Sequence, residues 1–149
     1  MAKKHAHPKS IQNRRVRYDY ELGDEFVVGL ALSGAETKSL RRGHGHLKGA
    51  YVNVKDDELW LINATITGDG SVPVPEDDRT RSRKLLAKRR EINQIIASKQ
   101  QGNTVLPVEI LNQGRYIKLR IAIGRGKKKY DKREAIKKRD QERAVKTLM

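Results

Sequence analysis

The last twenty-five residues, Arg125 to Met149, cannot supply a core to whatever precedes them. They hold eleven Lys or Arg, four Asp or Glu, and six aliphatic side chains that share no face. A segment with so little to bury is expected to stay unstructured until an anionic partner orders it. The fold must therefore lie upstream, and the tail reads as a probe attached to it.

The charge distribution supports that division. The chain of 149 residues carries a net +15. By segment, residues 1–20 hold +5, 21–78 hold −6, 79–99 hold +7, 100–124 hold +2 and the tail +7. Separate basic elements flanking an acidic half point to directed contact with a polyanion. Nucleic acid fits better than a membrane surface, which needs apolar residues opposite the cations. With no cysteine there is neither a disulfide framework nor a Cys zinc site, which fits a reducing cytoplasm. No apolar core follows the N-terminal cations, so a secretory signal is not expected, and no apolar run reaches the length of a membrane span.

The patterning between the ends is mostly that of strands. Residues 1–12 read as a loose basic arm. Asn13 to Tyr20 alternates Val16, Tyr18 and Tyr20 with Arg15, Arg17 and Asp19, which predicts an edge strand. Phe26 to Leu32 reads as a strand buried on both sides, with Gly29 marking a bulge or close approach. Glu36 to Arg42 predicts two helical turns stopped by Gly43. Tyr51–Val54 and Leu59–Ile66 predict a hairpin, and 68–78 a loop. Residues 80–100 predict a helix with Leu85, Leu86, Ile92, Ile95 and Ile96 on its apolar face and Arg81, Lys84, Lys88 and Glu91 opposite. Leu106–Leu111 and Arg115–Ile123 predict a second hairpin, in which Ile117, Leu119, Ile121 and Ile123 face inward and Lys118 and Arg120 outward. In the tail, Asp131 with Glu134 imitates a capping box. Glu134 and Lys138, like Glu142 and Lys146, form favourable i,i+4 pairs. A tail disordered when unbound and helical when bound is expected. The fold class is mainly β, an OB-fold-like small barrel with added helices and a flexible basic C-terminal tail. Its organisation reads as an arm over 1–12, an RNA-binding domain over 13–124 and a tail over 125–149.

Four blocks then carry a resemblance: Asn13-Arg-Arg-Val-Arg-Tyr-Asp-Tyr20, Gly34-Ala-Glu-Thr-Lys-Ser-Leu-Arg-Arg-Gly43, Arg83-Lys-Leu-Leu86 with Arg89-Arg-Glu-Ile92, and Gly126-Lys-Lys-Lys-Tyr-Asp-Lys-Arg133. In this order and spacing they closely resemble the SmpB family. The resemblance implies an OB-type barrel that binds the tRNA-like domain of transfer-messenger RNA and delivers it to stalled ribosomes. It also implies a tail that becomes helical in the empty mRNA channel of the small subunit, near the decoding centre. The implied RNA-binding residues are Asn13, Arg14, Arg15, Arg17, Tyr18, Glu36, Lys38, Arg41, Arg83, Lys84, Leu86, Lys118 and Arg120. The implied ribosome-contacting residues of the tail are Arg125, Lys127, Lys128, Lys129, Tyr130, Asp131, Lys132, Arg133, Lys137, Lys138 and Arg139. The sequence departs from the family pattern at Val27, where Glu is usual after the phenylalanine, and at Ala35, Tyr18 and Lys88.

Other chemistry is poorly supported. His44-Gly-His46 has ligand spacing but no third ligand clustered with it. Gly124-Arg-Gly-Lys127 lacks the first Gly and the Ser or Thr of a phosphate loop. The Asp56-Asp57 and Asp77-Asp78 pairs have no accompanying base or metal ligand, so neither a ribonuclease nor a nucleotidyl enzyme is expected. No cofactor is expected, and the chain is read as a monomer. The competing reading is a basic OB-fold ribosomal or assembly protein of the small subunit.

Overall fold

The structure is a computed structural model, and it describes residues 10–68, 70–71 and 73–126. The expectations for the first nine residues and for the tail from Lys127 onward lie outside the described residues.

In chain order the elements are β1 (Ser10–Gln12), α1 (Arg14–Asp19), β2 (Tyr20–Leu30), α2 (Gly34–Arg41), β3 (Gly45–His46), β4 (Tyr51–Lys55), β5 (Glu58–Ile62), β6 (Thr65–Ile66), a 3-10 turn (Glu76–Asp78), β7 (Arg83–Leu86), α3 (Arg89–Gln100), β8 (Thr104–Leu111) and β9 (Lys118–Gly126). Seven strands form one antiparallel sheet in the order β1-β8-β9-β2-β7-β5-β4. The sheet curls until β4 packs against β8, giving a partly open barrel whose ends do not pair. β3 and β6 form a separate two-stranded ribbon. The fold is mainly β with a few helices, as the patterning predicts.

The core lies inside the curl. Val28, Leu59, Leu61, Leu85, Val105, Leu119 and Ile121 are buried there, with Ile92 and Ile95 of α3 and Leu40 of α2 packed on. Along β9 the parity holds from Lys118 to Ile121, with Leu119 and Ile121 inward and Lys118 exposed, and then lapses, since Ala122 is buried and Ile123 half-buried. β4 and β5 turn through Asp56 and Asp57, whose φ angles of 53° and 59° match a two-residue hairpin turn that aspartate tolerates. Gly43, at φ 81°, ends α2 as expected.

Six local expectations are corrected, the first being the start of the tail, because β9 continues through Arg125 to Gly126. The segment Asn13–Tyr20 is helical over Arg14–Asp19 and not an edge strand. The edge of β8 is already occupied, because Ser10–Gln12, assigned by sequence to the loose arm, pair with Glu109–Leu111. The arginines then favour helix, where Arg15 meets Asp19 one turn on at 3.1 Å. Residues 80–100 do not form one helix: Arg83–Leu86 is a strand, and α3 starts only after Lys88, whose N–H donates to Glu91 at 3.1 Å. A strand buries every second side chain, so Arg83 and Leu85 point inward while Lys84 and Leu86 point out. Phe26–Leu32 is likewise not buried on both sides, since Val28 is interior and Val27 is 46% exposed. Finally, Leu59–Ile66 is not continuous: β5 stops at Ile62, and Asn63 takes a φ of 63° before β6.

Glycine matters most at the ribbon. A Cβ on Gly45 would sit 2.8 Å from the Thr65 carbonyl oxygen and 2.9 Å from a Leu40 methyl. Backbone cannot yield cheaply there, so Gly45→Ala is expected to destabilise the fold by about 1–3 kcal/mol. Urea unfolding followed by circular dichroism checks this; an unchanged midpoint would contradict the close contact.

Candidate nucleic-acid interface

The outer face of the sheet gathers part of the set expected from sequence. β2 runs between β9 and β7, with Gly29 opposite Lys118 on one side and Leu86 on the other. Gly29 has no side chain to separate its neighbours, and a Cβ there would meet that of Leu86 at 3.1 Å. Two shallow grooves share Gly29, Leu86 and Lys118. One also takes Val27, Lys84 and Lys88, with Glu58 and Glu91 at its border. The other takes Arg41, Arg115 and Tyr116. Leu86 is 57% exposed and Tyr116 68%, so apolar surface is presented in the midst of cations. That combination suits RNA, whose backbone needs charge and whose unpaired bases need a flat apolar contact.

The α1 cations lie elsewhere. Tyr20, at the start of β2, pairs with Gly126, whereas Gly29 pairs with Lys118. Roughly 30 Å of strand therefore separates α1 from the two grooves. Arg14, Arg15 and Arg17 are exposed on α1, with the Arg15 guanidinium 4.6 Å from the Tyr18 ring centre. This second basic cluster stands where β9 ends and the tail begins, beside exposed Arg125. Lys38 is exposed on α2, one turn before Arg41.

Besides Arg41, whose guanidinium is bonded to the loop joining β8 and β9, four residues expected at the RNA surface are committed to the scaffold. Arg83 is fully buried. Its Nε donates to Glu36 Oε2 at 2.8 Å, Nη1 to the carbonyls of Ala64 and Arg81, and Nη2 to those of Asp78 and Arg79. The guanidinium thus saturates its donors while tying the 78–81 turn to the ribbon. Glu36 is buried too; it accepts from the Ser33 N–H at 2.8 Å, from Arg83, and from the Arg81 guanidinium through both oxygens. Burial would raise the Glu36 pKa, but the bonds from Arg81, the Ser33 N–H and Arg83, with the charge of Arg83, outweigh it and hold the carboxyl below its ordinary value. Burial likewise draws the Arg83 pKa down, opposed by Glu36. Asn13 uses its amide on the Pro107 carbonyl at 2.9 Å and the Leu47 carbonyl at 3.4 Å. Arg120 is paired with Glu109 at 2.7 Å and lies 3.9 Å from Glu25.

Sequence reasoning did not single out Tyr116 and Arg115, or Val27 and Lys88 as members of the face. Strand parity on β2 would have turned Val27 outward with Gly29; nothing in the pattern marked the loop residues. Among the described residues, no group of three His, Asp or Glu is placed to hold a metal, and no helix is long and apolar enough to cross a membrane.

The SmpB protein family matches residues 10–149 of this chain. It belongs to that family. An SsrA-binding protein from Chloroflexus aurantiacus is 40% identical over 147 residues, covering 97% of this chain and 92% of the relative. Another, from Pseudomonas putida, is 41% identical over 150 residues, covering 97% and 93%. Neither relative carries a catalytic name. A solved chain, from a structure described as "tmRNA-SmpB: a journey to the center of the bacterial ribosome", is 33% identical. It superposes with a TM-score of 0.68 and covers 86% of this chain and 94% of its own.

Proposed function

We propose that this protein binds the tRNA-like domain of transfer-messenger RNA through its outer sheet face and delivers that RNA to stalled ribosomes for trans-translation. The observation that carries the reading is the exposure of Leu86 and Tyr116 among Lys84, Lys118, Arg41 and Arg115 on one face. Family membership narrows the RNA, because its relatives are named for SsrA binding. The body from Ser10 to Gly126 grips the RNA, and the tail beyond it enters the vacant mRNA channel of the small subunit near the decoding centre. Lys84 and Lys118 face phosphates, Leu86 covers a sugar or base face, and Arg14, Arg15, Arg17 and Tyr18 form a second contact by the root of the tail. The role is non-enzymatic, cytoplasmic and carried out by a monomer.

Binding of transfer-messenger RNA against competitor tRNA, titrated across salt, tests this. Preference for the former is expected, and equal affinity for every RNA would overturn it. Lys118→Ala should weaken binding and reduce the magnitude of the salt slope by about one, since one phosphate contact is lost. Unchanged affinity and slope would remove Lys118 from the interface.

A further inference from the structure

Arg41 is an exposed-face cation whose hydrogen bonds are spent inside the protein. From the end of α2 its guanidinium crosses to the loop joining β8 and β9. There Nη1 donates to the carbonyls of Asn112 at 3.3 Å and Gly114 at 2.9 Å, and Nη2 donates to that of Arg115 at 2.9 Å. A second tie comes from the buried Asn112 amide, which donates to the Leu40 carbonyl at 2.8 Å. The loop is thus fastened to α2 from both sides. Tyr116 follows directly, 68% exposed, with the Arg115 guanidinium 5.5 Å from its ring centre.

A large aromatic side chain this exposed on a loop this firmly held loses little entropy when a ligand covers it. What covers it is decided by the surroundings. Arg115 and Lys118 border the same groove as the ring, and so does the exposed Leu86. A polar rim would suit a protein anchor too, so the pairing decides it: an exposed π-face beside two cations fits a nucleobase and its phosphate. We propose that Tyr116 is the stacking platform for one unpaired nucleobase of the bound RNA. Arg41 is its positioning residue, holding the platform without touching RNA.

This rests on the RNA-binding reading above, and the test separates the two. The full-length protein is titrated with the tRNA-like domain of transfer-messenger RNA carrying 2-aminopurine at single unpaired positions. Failure of the unsubstituted protein to bind would overturn both readings. Given binding, one position should lose fluorescence, and Tyr116→Ala should restore that signal and weaken affinity about 5- to 100-fold with the salt slope unchanged. Tyr116→Trp should recover the lost affinity. Arg41→Ala should weaken binding with the slope also unchanged, and its loss should not add to that of Tyr116→Ala. Tyr116→Ala at full affinity would overturn the platform. An Arg41→Ala slope reduced by about one, with additive losses, would make Arg41 a phosphate contact and overturn its positioning role.

Discussion

Arg83→Met is expected to destabilise the protein by about 3–5 kcal/mol, because it leaves Glu36 buried without one of its two guanidinium partners. Both partners are almost wholly shielded, at 0% and 2% side-chain exposure, so water cannot replace the lost bond. The substitution also removes donors from the carbonyls of Ala64, Asp78 and Arg79, of which Arg79 keeps the Ile66 N–H. Glu36→Gln is expected to cost a similar amount by leaving the Arg83 charge uncompensated. Urea unfolding gives the magnitude, and a loss below about 1 kcal/mol for Arg83→Met would show that the pair contributes little. The same pair fixes an acid sensitivity. The Glu36 pKa is lower in the folded protein than its ordinary 4.5, so the unfolded chain binds the proton more readily. The contribution is therefore complete above about 4.5 and disappears as pH falls through the folded value. Unfolding between neutral pH and pH 3 should show wild-type stability falling more steeply than that of Glu36→Gln. Parallel pH profiles would remove the carboxylate from the account.

Arg83 also shows where the sequence stopped being legible. Its charge reads as surface, because isolated arginines are almost never fully buried, and nothing local announces that Glu36 lies 47 positions away. The same holds for Asn13 and Arg120, whose partners Pro107 and Glu109 lie on β8. Where the relevant geometry is local, reading succeeded. The parity of β9 put Lys118 outside and Leu119 inside, and Gly43 stopped α2 where its composition said it would. Gly29 makes the close approach to Leu86 that its place in an apolar run suggested. Arg83–Leu86 failed for a different reason. Two adjacent leucines satisfy a helical stripe and a strand alike, and pairing with both β2 and β5 decided between them. Tyr116 was invisible because its value comes from the clamp by Arg41, a contact spanning 73 to 74 residues.

Deleting the chain after Gly126 is expected to leave RNA binding within about threefold while abolishing tagging on ribosomes stalled at a truncated message. The cut is structurally mild, since Gly126 keeps its pairing with Tyr20 and β9 stays whole. It removes ten Lys or Arg and four Asp or Glu, so long-range attraction to RNA weakens at low salt more than at physiological salt. The grooves around Leu86 lie at the opposite end of β2 and lose no residue. Rescue has a different requirement. About 18 residues wound as helix extend about 27 Å, a length that resident mRNA would obstruct and an empty channel would admit. The i,i+4 pairs from Glu134 to Lys138 and from Glu142 to Lys146 bias the segment toward helix without making an isolated helix stable in water. A tail of the same composition in scrambled order therefore serves as the decisive companion. It keeps the charge and loses the pairs and the Tyr130-Asp131-Lys132-Arg133 run, so RNA affinity should match the full chain while tagging stays abolished. If the scrambled tail restores tagging, charge alone suffices and ordered entry into the channel is wrong. If truncation lowers RNA binding and tagging by the same factor, the tail is a general RNA clamp rather than a sensor of the vacant channel.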